Sequence, residues 1–249
     1  MAKVLEVCVD SLASARHAIA AGADRLELCA ALSVGGLTPY TALLRQIRAE
    51  SDIPVRCLMR HRAGDFLYAS EELALLQLQI LELKAAGASG FVLGCLTPDG
   101  SLDKEAMKPL IEACGGCGLT LHRAIDVSAD LEQTYQDAMA LGIDTVLTSG
   151  GAPSCLAGME NIQKLIALRD SCGGPEVLIG AGVNAAVITR FRTAIPGSCA
   201  FHMSGKRDLE SDMRFRRKGI PMGLPSLDEW HIQQTDPHAV RAARAALDA

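Results

Sequence analysis

Short apolar runs alternate along this chain with longer segments in which apolar residues recur at helical spacing. The first unit reads as a strand at Val4–Val9, a helix at Ser11–Ala21 and a turn at Gly22-Ala23-Asp24. A second strand, Arg25–Cys29, leads through the loop Ser33–Pro39 to a helix that ends near Ala49, with Thr38 as its N-cap and Pro39 at its first position. The third strand is Val55–Met59. After it comes Arg60–Tyr68, a polar loop longer than a connector needs. A helix over Ser70–Ala86 carries the stripe Leu73, Leu76, Ile80 and Leu83. Strands follow at Gly90–Gly94, Leu119–Leu121, Thr145–Leu147, Val177–Ile179 and Cys199–Phe201. The helices between them end at Cys114, span Asp130–Ala140 and Met159–Asp170, and run from Asn184 to Phe191; Asp103 or Ser101 caps the one that ends at Cys114.

This makes eight strands, of which the first seven are each followed by a helix. Such alternation predicts an α/β fold with a parallel sheet, and the count predicts closure into a (β/α)8 TIM-type barrel. An open doubly wound sheet is the alternative, but no Gly-x-Gly-x-x-Gly follows the first strand. The expected organisation is one domain, with the barrel over 1–205 and a C-terminal extension over 206–249. That extension holds a basic run, Met213–Lys218, read as a solvated face. It also holds Trp230 and a helix from Pro237 to Leu247 that packs on the barrel or on a partner subunit.

Alternation assigns the faces of the strands. The phrase Leu-Glu-apolar-Cys occurs twice, at 5–8 and 26–29. The leucines face the helices, so Glu6, Cys8, Glu27 and Cys29 turn inward on neighbouring parallel strands. By the same rule Arg60 lies inward at the end of the third strand, His122 and further along Asp126 at the fifth, and His202 at the eighth. The predicted mouth is rich in ionisable groups, whereas barrel interiors are layers of branched apolar side chains. A purely structural account has Arg60 and Arg123 neutralising Glu6 and Glu27.

Composition narrows the partners. The 249 residues are 49% hydrophobic and 4% aromatic, with a net charge of −5. An acidic balance argues against nucleic-acid binding, and no apolar stretch is long enough to span a bilayer. Met1-Ala2-Lys3 leads directly into the first strand without a signal-peptide pattern, so a cytoplasmic location is expected. The nine cysteines are scattered and lack a disulfide framework. Cys114-Gly-Gly-Cys117 coincides with a helix stop and has no second pair.

Two chemistries suit the mouth. Thiolates at Cys8 and Cys29 suit the soft ion Cu(I), and His122 and His202 could complete a zinc-like set. Alternatively the barrel is an enzyme, a lyase, isomerase or hydrolase, acting on a small anionic metabolite. Arg60, Arg62 and Arg123 would then bind the anion, with Glu6, Glu27, Arg60, His122, Asp126 and His202 as the catalytic set and Asp126 or a Glu orienting His122. Ser149, Gly150, Gly180 and Gly182 offer backbone amides near helix starts as an anion site.

Several phrases together resemble the CutC copper-homeostasis family: Leu5-Glu-Val-Cys-Val-Asp-Ser11, Gly22-Ala-Asp-Arg-Leu-Glu-Leu-Cys29, Gly35-Gly-Leu-Thr-Pro39, Gly64-Asp-Phe-Leu-Tyr68, His122-Arg-Ala-Ile-Asp126, Leu147-Thr-Ser-Gly150, Phe201-His202, Met213-Arg-Phe-Arg216 and Met222-Gly223. The resemblance implies a TIM-type barrel, a cytoplasmic copper-handling role and a homo-oligomer, dimer or tetramer. It places the Cu(I) ligands on Cys8 and Cys29. The chain departs from the pattern at His61, where the family usually has proline, and at Ile125, where phenylalanine is common. Met203 and Gly205 lie where members vary; His61 and Met203 are further possible ligands.

Overall fold

The computed structural model describes residues 3–217, 219, 220, 222 and 228–249. Met1 and Ala2, Lys218 of the basic run and Gly223 of the tail phrase lie outside the described residues. Eight parallel strands close into a barrel in sequence order: β1 (Val4–Val9), β2 (Arg25–Leu28), β3 (Val55–Leu58), β4 (Gly90–Leu93), β5 (Gly118–Leu121), β6 (Thr145–Thr148), β7 (Glu176–Ile179) and β8 (Ala200–Met203). β8 pairs back onto β1, so the expected (β/α)8 architecture is the one present.

Helices α1 (Leu12–Ala20), α2 (Thr41–Glu50), α3 (Ser70–Ala85), α4 (Lys104–Cys114), α5 (Leu131–Ala140), α6 (Met159–Cys172) and α7 (Ala185–Ala194) follow the first seven strands. Short polar side chains start several of them: the side chains of Ser11, Asp103, Asp130 and Asn184 each accept a backbone N–H of the first turn. α2 begins later than its sequence signal. Thr38 does not cap it, because Thr38 is spent on the third strand's end: its N–H donates to Arg60 O at 2.8 Å and its Oγ1 accepts from Arg60 N at 3.0 Å. The helix starts instead behind Tyr40.

After β8 the chain forms a two-stranded antiparallel ribbon, β9 (Lys206–Glu210) with β10 (His231–Thr235), and then α8 (Pro237–Asp248). α8 packs against α7 and also touches α1 and β1, which is the eighth place in the helical ring. Arg192 of α7 donates to the carbonyls of Ala246 and Leu247, and Arg244 of α8 pairs with Asp24 at 2.5 Å. Trp230 is half-buried, with the Arg216 guanidinium 5.5 Å from its ring centroid.

Helix-facing strand residues, among them Leu5, Val7, Leu26, Phe91 and Phe201, are fully buried in one large core, each worth roughly 1.5–3 kcal/mol. The barrel lumen is different. Its apolar parts are two small groups, one of Cys8, Cys29, Leu58 and Val92 and one of Leu147, Leu178 and Ala200. Polar side chains fill the remainder: Arg56 donates to Thr120 Oγ1 at 2.6 Å and to Thr145 Oγ1 at 3.1 Å, and pairs with Asp144 at 2.7 Å. Room for Arg56 comes from its neighbours, since a Cβ on Gly90 would lie 2.8 Å from Arg56 Cγ and one on Gly118 2.7 Å from Arg56 Nη2. No helix among the described residues is long and apolar enough to cross a membrane.

Candidate functional site

Register builds one wall of the site. Glu6 on β1 lies directly opposite Arg25 on β2 and His202 on β8. Its carboxylate, 0% exposed, accepts from Arg25 Nε at 2.5 Å and stands 2.8 Å from His202 Nδ1. Burial alone would push this carboxyl up, but Arg25 and then His202 outweigh it and hold the group at about 2. Two residues further along, Cys8 lies opposite Glu27. His202 Nε2 is 3.8 Å from Glu27 Oε2. One ligand atom each from Cys8, Glu27 and His202 fall within 4.8 Å of one another, a thiol, a carboxylate and an imidazole converging on one point.

Charge in this wall is balanced across strands. Burial raises the Glu27 carboxyl above its usual range, with His202 working against that shift. Burial also works against a charged His202, but Cys8 and Glu27 overcome it and push His202 well up, so the imidazole holds its proton. Cys29 donates to Glu27 Oε2 at 3.4 Å and is 1% exposed. Burial, then the Glu27 charge, drives its thiol well above the ordinary range. It stands beside the converging group rather than in it.

Arg60 and His122 form the opposite wall. The Arg60 guanidinium donates to Val34 O at 3.1 Å, Gly36 O at 3.0 Å and Gly64 O at 2.9 Å, leaving Nε without a partner among the described residues. His122 accepts the Ala124 N–H on Nδ1 at 3.2 Å, and its Nε2 is likewise unpartnered. Phe66, from the long loop after β3, touches both: its ring centroid is 4.7 Å from that of His122 and 5.4 Å from Arg60 Cζ. Burial, then the Arg60 charge, lowers the His122 pKa to about 3, so the ring is neutral. The two walls enclose a cavity of about 420 Å³ at the C-terminal ends of the strands, with Arg123, Gly182 and Lys206 also on its lining, where barrel active sites lie.

Asp126 is placed elsewhere. It sits in a short 3-10 turn (Arg123–Val127) and turns to the loop after β6, accepting from Thr148 Oγ1 at 2.5 Å, from the backbone N–H groups of Ser149 and Gly151 at 3.0 and 3.1 Å, and from Ser149 Oγ at 2.9 Å. Arg123 Nε closes the cluster at 2.7 Å. His122 is therefore oriented by a backbone amide and by Phe66, not by Asp126. The amides expected to bind an anion at Ser149 and Gly150 are already occupied, the first by Asp126 and the second by Thr148 Oγ1 at 2.8 Å. Gly180 N donates to Thr148 O, which leaves Gly182 alone of that set on the cavity lining.

The family model described as CutC family matches residues 3–207. The chain belongs to the CutC family. It is 37% identical to the family protein CutC of Vibrio cholerae over 247 residues, covering 98% of this chain and 96% of that one. It is 37% identical to a human protein named copper homeostasis protein cutC homolog, over 97% of this chain and 88% of the relative. Among solved structures, the Streptococcus agalactiae CutC protein superposes with a TM-score of 0.75 at 27% identity, covering 81% of this chain and 98% of that one. A 2,3-dimethylmalate lyase matches with a TM-score of 0.57 at 17% identity, over 82% of this chain and 76% of that one, a likeness of the barrel fold alone.

Of the residues singled out in this CutC-family sequence, Glu6, Cys8, Glu27 and His202 meet on one wall, and Arg60 and His122 on the other. The acids are not neutralised by Arg60 and Arg123, whose donors go to loop carbonyls and to Asp126; Arg25 and His202 do it. Arg25 shares the inward parity of Glu27, so alternation along β2 points to it as well. Phe66 carries no such signal, because it lies in the loop after β3; Thr148 closes β6 and Lys206 opens β9, beyond the strand stretches that alternation marks in the sequence. His61 faces Glu72 at 2.8 Å, away from the converging group, and Met203 joins the helix-facing core while also lining the cavity.

Proposed function

We propose that this CutC-family chain is a cytoplasmic copper-homeostasis protein that takes Cu(I) as cargo at the barrel mouth. The observation that carries the reading is the convergence of Cys8, Glu27 and His202 within 4.8 Å. A thiolate and an imidazole suit a soft monovalent ion, which would displace the Nε2 proton of His202 on binding, and a nearby carboxylate offsets its charge. Cys8 is the anchoring thiol. Cys29 is the second thiolate expected from the family resemblance, but its proximity to Glu27 makes ionisation costlier. The scatter of the nine cysteines, without the spacing of a disulfide framework, suits a reducing compartment. Leu75, Leu78 and Leu81, exposed on α3, support a homo-oligomer.

The test is a titration of purified, reduced protein with Cu(I) against a competing chelator. Cys8→Ser and His202→Gln are expected to weaken binding about tenfold or more, as loss of a ligand or its partner does. Cys29→Ser should weaken it less. Equal binding by wild type and Cys8→Ser would remove this site.

A second reading has its own support: the cationic wall. Arg60, Arg123 and Lys206 line the cavity, and Arg60 Nε and His122 Nε2 lack partners among the described residues, features that suit a barrel enzyme (lyase, isomerase or hydrolase) acting on a small anionic metabolite.

A further inference from the structure

We propose that the cavity binds a small carboxylate, one oxygen accepting from His122 Nε2–H and the other from Arg60 Nε–H. The inference deepens the anionic-metabolite reading and rests on it.

Hydrogen bonding fixes the tautomer. Because Nδ1 of His122 accepts the Ala124 amide proton, it carries none of its own, and the single proton of a neutral imidazole resides on Nε2. The ring is confined, for the tilted Phe66 ring lies against one side and a Cβ on Gly94 would lie 2.7 Å from its Cε1 on another. Burial and Arg60 keep the imidazole uncharged, so Nε2 stays a donor without becoming a cation.

Arg60 is prepared in the same way. Three loop carbonyls hold three of its four terminal N–H groups, and Nε is the guanidinium nitrogen with no acceptor at all among the described residues. His122 is 4% exposed and Arg60 9%, and among the described residues each carries a buried donor without an acceptor, on side chains that line the same cavity and flank one aromatic ring. A buried donor without an acceptor is costly, and a ligand oxygen relieves that cost at both atoms. Two side-chain donors, one of them cationic, suit the two oxygens of a carboxylate. A phosphate would draw on backbone amides as well, and those of Ser149, Gly150 and Gly151 are engaged by Asp126 and Thr148.

The experiment uses reduced, metal-free, full-length protein labelled with nitrogen-15. Imidazole nitrogen spectra are followed while acetate, glycolate, inorganic phosphate or the neutral control acetamide is added; His122→Phe assigns the signals. The expected result is an unprotonated Nδ1 and a protonated Nε2 in the free protein. Acetate or glycolate then moves the Nε2 resonance saturably, acetamide does so at least tenfold more weakly, and His122→Phe, folded by circular dichroism, binds at least tenfold more weakly. A proton on Nδ1, or carboxylate binding that leaves Nε2 unmoved, overturns the inference. Saturable binding of phosphate but not of acetate or glycolate overturns it while leaving the anionic-metabolite reading standing. Binding of no anion overturns both.

Discussion

Glu6 Oε1 stands 2.8 Å from His202 Nδ1, while the other oxygen of the same carboxylate accepts from Arg25. One fully buried acid thus binds together the first, second and eighth strands at the seam where the barrel closes.

Removing that acid strands two cations. Glu6→Gln is expected to lower the unfolding free energy by about 3–5 kcal/mol, because it leaves Arg25 and His202 buried without their partner. Glu6→Gln with Arg25→Gln should cost clearly less than the sum of the single changes, which urea unfolding of the four species measures. Strictly additive losses would show that the pair does not couple. The acid's pKa sets a further sign: it falls from 4.5 to about 2 on folding, so its contribution is present above pH 4.5 and is lost as pH falls toward 2.

His122 carries the next limb of the pH profile. Its folded pKa, about 3, lies below the unfolded 6.5, so in between the unfolded chain binds more protons and stability falls as pH drops. The full effect is on the order of 5 kcal/mol by pH 3. His202 has the opposite sign, its raised pKa favouring the fold below 6.5 and losing that benefit as pH rises. Glu27, also raised, opposes in the same sense. The difference between wild type and His122→Phe isolates the first term. It should shift in favour of the variant between pH 6.5 and 4.5, and a flat difference in urea midpoints would contradict a neutral, buried His122.

Asp126 is an internal anion seated in a cradle of amides. Asp126→Ala should destabilise the chain by about 1–3 kcal/mol, since it removes charge-assisted hydrogen bonds to Thr148, Ser149 and Gly151. It also vacates an anion-shaped site. Sulfate is therefore expected to raise the melting temperature of Asp126→Ala more than that of wild type. Identical salt responses would mean the cradle collapses without its carboxylate.

The missing side chain at Gly94 is equally specific. A Cβ there would approach His122 Cε1 to 2.7 Å and Leu121 Cδ1 to 2.9 Å. Gly94→Ala should cost about 1–3 kcal/mol and shift the His122 imidazole resonances. Unchanged resonances would show that the ring has room to spare.

Much of this was legible before the fold. Strand alternation turned Glu6, Cys8, Glu27 and His202 inward, and the strand count closed the barrel, because both depend on period alone. The partners of those residues depend on register, which a single strand does not carry. The sequence therefore suggested Arg60 for the acids when the neighbour opposite Glu6 is Arg25. Asp126 misled for a related reason: parity was extended past the end of β5, where a 3-10 turn replaces the pleat and swings the carboxylate toward β6. Thr38 has the residue type of a helix cap but faces Arg60, a long-range contact invisible to local rules.

The glycines of the lumen have a consequence for how relatives can differ. Gly94 leaves space that His122 fills, and Gly90 and Gly118 leave space that Arg56 fills. Size is therefore fixed for adjoining positions jointly rather than for each alone. Across the family, a methyl group gained at position 94 should be accompanied by a smaller residue at 122, and gains at 90 or 118 by a shorter one at 56. Covariation between neighbouring strands would then record the shape of the cavity.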